Sequence, residues 1–139
     1  MYSIKIEEDF SSAHNLRGYQ GKCEELHGHN WKVEVTVEAK KPDKTGMVLD
    51  FKDLKRELNK VLEKLDHKCL NDIPYFSAAG GSPPKADQPT AGASGGKKVN
   101  PTSENIAQYI YKSLKSEIPN LKLVTVWENH NSCASYYEG

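Results

Sequence analysis

The chain has 139 residues, the length of one domain, and its 19 basic groups balance 19 acidic ones. That balance argues against broad nucleic-acid or anionic-membrane binding, which needs a basic surplus. No apolar run approaches the ~18 residues of a membrane span, the N-terminus lacks an apolar signal region, and three cysteines are too few for a disulfide framework, so a reducing cytoplasm is expected.

Residues 2–14 read as a first strand, with Tyr2, Ile4, Ile6 and Phe10 on one parity and Lys5, Glu7 and Asp9 on the other. His14 falls on the apolar parity. Residues 15–22 form a polar, glycine-containing loop. The next seven residues carry a thiol (Cys23), two carboxylates (Glu24, Glu25) and two imidazoles (His27, His29). The second strand is clearer: Trp31, Val33, Val35, Val37 and Ala39 alternate with Lys32, Glu34, Thr36 and Glu38, and His27 and His29 share its apolar parity. On a helix, residues two apart diverge around the axis. On a strand they point to one face, about 6.5–7 Å apart, and can converge on a single ion. His14, His27 and His29 are therefore expected near one end of a hairpin, on its buried face, as metal ligands. Three neutral imidazoles without a thiolate suit Zn²⁺ and leave a fourth position for water or substrate, although iron or another divalent ion also accepts such ligands. Cys23, in a polar loop beside that cation, is a candidate reactive thiol. Cys69 and Cys133 lack such surroundings and read as small packing residues.

Residues 40–46 are a turn-rich break. Asp50 then reads as a helix N-cap with Asp53 in the first turn, and Phe51, Leu54, Leu58, Val61, Leu62 and Leu65 form one apolar stripe running through Asp66. Asp66-His67 ends this helix in two readings: a C-terminus that favours a cation, or a carboxylate orienting an imidazole that exchanges a proton with Cys23. Residues 77–98 contain no Val, Ile, Leu, Phe or Trp and hold half of the ten glycines, which predicts a flexible surface loop within a single domain spanning 1–139. Asn100-Pro101-Thr102-Ser103-Glu104 starts a second helix, with Asn100 as cap candidate, a proline suited to the first turn and then an acid, and its buried side is Ile106, Ala107, Ile110, Leu114 and Ile118. Two short strands follow, Leu121 to Asn129 and Cys133 to Tyr137. Glu128 shares parity with Val124 and Val126. It reads either as an edge or solvent residue or as a buried anchor for a ligand with paired N–H donors, since both parities there are partly apolar. The order ββααββ predicts an α+β fold: a four-stranded antiparallel sheet with two helices on one face, whose open edges favour a symmetric oligomer.

Phe10-Ser-Ser-Ala-His14, Cys23-x-x-x-His27-Gly-His29, Leu49-Asp-Phe51, Leu65-Asp-His67 with Leu70-Asn-Asp72, Pro101-Thr-Ser-Glu104 and the Glu128 strand, in this order, resemble the 6-pyruvoyltetrahydropterin synthase / 6-carboxytetrahydropterin synthase family. The resemblance covers the chain outside residues 73–98. It implies the tunnelling fold (T-fold) and a homohexamer built as a dimer of trimers, with active sites between subunits. It implies zinc on His14, His27 and His29, and Cys23 as proton-transferring thiol with Asp66 and His67 completing a relay. Glu128 would anchor the pterin's amino edge, helped by Thr102, Ser103 and Glu104. The substrate implied is 7,8-dihydroneopterin triphosphate. The compact Cys-x-x-x-His-Gly-His spacing resembles the carboxy branch, which releases acetaldehyde and feeds bacterial 7-deazaguanine (queuosine) synthesis. The pyruvoyl branch is the alternative, as is cleavage to 6-hydroxymethyl-dihydropterin aided by Glu24 or Glu25. A non-catalytic zinc- or pterin-binding module is the reading from a different class. The 77–98 loop departs from the family pattern. It is expected to be inert, the alternative being a lid that brings Lys97 and Lys98 to the triphosphate.

Overall fold

Two long strands carry the architecture. In a computed structural model describing residues 1–18, 21, 25–77 and 99–139, β1 (Tyr2–His14) and β2 (His27–Ala39) pair antiparallel over their full length, from Tyr2 opposite Ala39 to His14 opposite His27. Then come α1 (Phe51–Leu62), the two-residue β3 (Lys68–Cys69), a 3-10 turn (Leu70–Asp72), the single-turn α2 (Pro74–Ser77), α3 (Ser103–Lys115), β4 (Leu121–Asn129) and β5 (Ser132–Tyr136). Most of the 77–98 segment lies outside the described residues, as do Cys23 and Glu24.

The period-two pattern of the strands decides the layers. Ile6, Phe10, Trp31, Val33, Val35, Val37, Val124 and Val126 are buried on one face of the sheet. Leu54, Leu58, Val61 and Leu62 of α1 and Ile106, Ala107, Ile110 and Leu114 of α3 are buried in the same core. Each such side chain contributes roughly 1.5–3 kcal/mol by leaving water. Asp50 caps α1 by accepting the Lys52 N–H at 2.8 Å.

Four details correct the sequence expectation. The sheet has five strands, ordered β3-β1-β2-β4-β5, because β3 joins β1 in parallel through Ser12–Lys68 and Ala13–Cys69. Two residues are too few to show a periodicity, but they cover an edge of β1 that would otherwise stand open. Phe51 is 53% exposed: as the first residue of α1 it precedes the buried stripe, which begins at Leu54. The helix ends at Leu62, although the Asp66 N–H still reaches the Leu62 carbonyl at 2.8 Å. His67, at φ +55°, then takes the left-handed conformation that turns the chain into β3. Finally, the cap of α3 is Thr102, whose hydroxyl accepts the Asn105 N–H at 3.2 Å. Asn100 instead locks onto the chain after β1: its amide donates to the Arg17 carbonyl (2.9 Å) and accepts the Arg17 N–H (3.0 Å).

Candidate metal centre and the adjoining cavity

The β1–β2 register brings the histidines together. His14 pairs directly with His27, and His29 stands one step along, opposite Ser12. Paired residues of an antiparallel ladder share a face, so all three rings emerge on the core side, at the end of the hairpin. The buried Trp31 indole closes the floor, edge-on to His14 and His29, and its Nε1 donates to the Ser12 carbonyl at 3.2 Å.

Hydrogen bonds select the ring tautomers. His14 Nδ1 lies 2.7 Å from the Pro101 carbonyl and His27 Nδ1 lies 2.7 Å from the Glu25 carbonyl. A carbonyl only accepts, so each Nδ1 carries a hydrogen, and in the neutral tautomer that this selects the lone pair is on Nε2. Those two Nε2 atoms face each other at 3.0 Å, and the buried Nε2 of His29 has no hydrogen-bond partner among the described residues. Burial lowers the His14 pKa; the neighbouring His27 and His29 add to this, opposed by the Pro101 carbonyl and the Glu128 carboxylate. Burial also lowers His29, against the pull of Glu128. Neutral imidazoles with converging lone pairs are what a cation requires.

The Glu128 carboxylate joins them. Its Oε1 lies 3.3 Å from His14 Nε2 and 3.2 Å from His29 Nε2. One ligand atom each from His14, His27, His29 and Glu128 fall within 4.8 Å of one another, a group that could hold a metal ion. Nitrogens bound to one tetrahedral ion at about 2.0–2.1 Å stand roughly 3.3–3.4 Å apart, which the 3.0–3.3 Å contacts match, while the widest separation in the group has to close for all four to bind.

Beside this group lies a cavity of about 300 Å³, lined by His14, Glu128, Thr102, Ser103 and Glu104 together with Leu16, Ser132, Cys133 and Ala134. Thr102, Ser103 and Glu104 reach it because the start of α3 is tied to β1 through the His14–Pro101 bond. Cys133 departs from its reading as a packing residue: it is exposed and faces the cavity, because β5 crosses the cavity mouth. Its spacing in sequence carried no such signal.

Asp66 and His67 stand elsewhere on the chain. Asp66 Oδ1 accepts the Ser11 N–H at 2.8 Å and Oδ2 lies 2.9 Å from His67 Nδ1, while the His67 side chain is 82% exposed. The Ser11 bond, more than the bonds and charge of His67, lowers the Asp66 pKa despite some desolvation. Neither residue lines the cavity beside His14. Cys23 lies outside the described residues, so its place relative to the histidines is not part of this geometry.

The profile described as 6-pyruvoyl tetrahydropterin synthase matches residues 3–139. The chain is 34% identical to the 6-carboxy-5,6,7,8-tetrahydropterin synthase of Haemophilus influenzae, over 99% of this chain and 100% of that one. It is 35% identical to the human 6-pyruvoyl tetrahydrobiopterin synthase, over 91% of this chain and 77% of that one. Among solved structures it superposes on the Caenorhabditis elegans 6-pyruvoyl tetrahydropterin synthase with a TM-score of 0.78 at 27% identity, covering 99% of this chain and 96% of that one. Strand register, converging histidines and near-complete alignment agree, and the chain belongs to the 6-pyruvoyl tetrahydropterin synthase family.

Proposed function

We propose that this chain is a zinc-dependent 6-carboxytetrahydropterin synthase, converting 7,8-dihydroneopterin triphosphate to 6-carboxytetrahydropterin with release of acetaldehyde and triphosphate. The convergence of His14, His27 and His29 carries the metal-dependent part of this reading. Full-length similarity to a relative named for the carboxy product favours that branch over the pyruvoyl one, whose human representative is matched over 77% of its length.

His14, His27 and His29 would hold the zinc, which when bound would supply Lewis acidity that makes a C–H next to a substrate oxygen more acidic. Cys23 accepts that proton as a thiolate, a state that nearby positive charge favours. Asp66 holds His67 by its Nδ1, leaving Nε2 to exchange protons with the thiol. Because that pair stands away from the cavity within one chain, the relay is completed by a neighbouring copy, in a homohexamer of two trimers. Glu128 and the Thr102-Ser103-Glu104 segment take the amino edge of the pterin ring. The cytoplasm is the proposed compartment.

Incubating the purified protein with 7,8-dihydroneopterin triphosphate and identifying products by mass tests the reading. Acetaldehyde with a carboxylated pterin supports it. Retention of the three-carbon tail reassigns the chain to the pyruvoyl branch, and a glycolaldehyde-type fragment reassigns it to hydroxymethyl-dihydropterin formation. No conversion by zinc-loaded protein leaves a binding module.

A further inference from the structure

We propose that Glu128 is a fourth donor to the cation held by His14, His27 and His29 before substrate binds, in addition to any contact it makes with the pterin. This rests on the metal-dependent reading above. It assigns the position opposite the histidines, in the substrate-free protein, to a side chain.

The backbone around Glu128 aims it there. Trp127 pairs with Cys133 and Asn129 with Ser132, so β4 advances two residues while β5 advances one, and Glu128 is the extra residue. Such a bulge re-directs a side chain at the end of a ladder. Glu128 shares the face of Val124 and Val126, both buried, and therefore meets the hairpin end where the three rings emerge.

The contacts suit a site for positive charge. The same Glu128 oxygen approaches His14 Nε2 at 3.3 Å and His29 Nε2 at 3.2 Å. With its Nδ1–H on Pro101, the neutral His14 ring turns a lone pair toward this oxygen. Among the described residues, the ion-pair partners of Glu128 are these two histidines, and no lysine or arginine neutralises it. A carboxylate oxygen and facing ring lone pairs repel one another, and a cation bound by all of them removes that repulsion, as a hydrogen on a ring Nε2 also does. Three neutral nitrogens and one carboxylate also lower the net charge of a divalent ion to +1, which suits a half-buried site.

The test is metal binding without substrate. The protein is stripped, and Co²⁺ affinity is measured against a competing chelator, with the visible ligand-field bands recorded, for the parent, Glu128→Gln and Glu128→Ala. Glu128→Gln keeps the side chain's shape should the alanine variant fold poorly. The proposal expects affinity to fall by about tenfold or more, at least what a supporting residue of a metal site contributes, with shifted bands. Parent-like affinity and bands in both variants, even with pterin binding lost, would overturn it and leave Glu128 to the substrate alone. His27→Ala separates the two layers. Loss of Co²⁺ there beside unchanged binding in the Glu128 variants rejects only the fourth donor, whereas parent-like affinity in His27→Ala rejects the metal reading and this proposal with it.

Discussion

His14 and His27 face each other Nε2 to Nε2 across 3.0 Å, while backbone carbonyls accept from both Nδ1 atoms. Two facing lone pairs repel, and an ion held between them would relieve that repulsion and stabilise the end of the hairpin. Metal at a hundred times its dissociation constant adds about 2.7 kcal/mol of stability. For a domain of this size that corresponds to a Tm rise of roughly 8–10 °C. Thermal unfolding with zinc and with a chelator should differ by that amount, and coincident curves would contradict the site.

Trp31 supports the same rings from below. It is fully buried, stacks on Phe10 and meets His14 and His29 edge-on. Trp31→Ala should cost about 3–5 kcal/mol in urea unfolding. Trp31→Phe should cost less while weakening metal affinity, because the ring floor is kept and the Nε1 bond to Ser12 is lost.

The proposed relay gives a prediction with a built-in control. Cys23→Ala should lower turnover about 100-fold or more, the scale of a lost general acid–base group, with zinc content unchanged. His67→Ala should behave alike. If thiol and imidazole meet across an interface, subunits of the two variants refolded together should regain activity that neither has alone. Persistent inactivity of the mixture would place both groups in one chain or remove one from the mechanism.

Asp66 makes a pH-dependent contribution whose sign is set by its lowered pKa. Its carboxylate stabilises the fold above the ordinary value of 3.8, and that stability is lost as pH falls through the lower folded value. Asp66→Asn should therefore be less stable than the parent near neutrality, with the gap closing in acid below that folded value. A gap of constant size from pH 7 downward would show that the charge is irrelevant.

Arg17 closes the base of the long segment. Its Nη2 donates to the Phe76 carbonyl and, at 3.1 Å, to the Val99 carbonyl. Two acceptors on one nitrogen are within about 6 Å of each other, so the ends flanking 78–98 are close together. A linker of about six residues spans that gap easily. Replacing 78–98 with one should leave Tm and turnover near those of the parent. Arg17→Met should destabilise by about 1–3 kcal/mol through the unpaired carbonyls. A dead but folded deletion variant would show that the segment acts at the site.

The four longer strands, both main helices and the histidine trio were legible in the sequence, because each rests on a local period, whereas the two-residue β3 was not. Alternation from Trp31 to Ala39 puts His27 and His29 on the core side whatever else the chain does, and His14 follows from the parity of Phe10. The position of Glu128 was not legible. Its strand is apolar on both parities, and its aim comes from a bulge that exists only when β4 is laid against β5. Arg17 was silent for a similar reason, since its partners lie 59 and 82 residues away. The Asp66–His67 pair was visible as a motif, but its separation from the cavity was decided when Ser11 of β1 captured both residues at the sheet edge. A local period dictates which side of an element a residue occupies. Which groups meet across the fold depends on register and on long-range hydrogen bonds that no window of sequence contains.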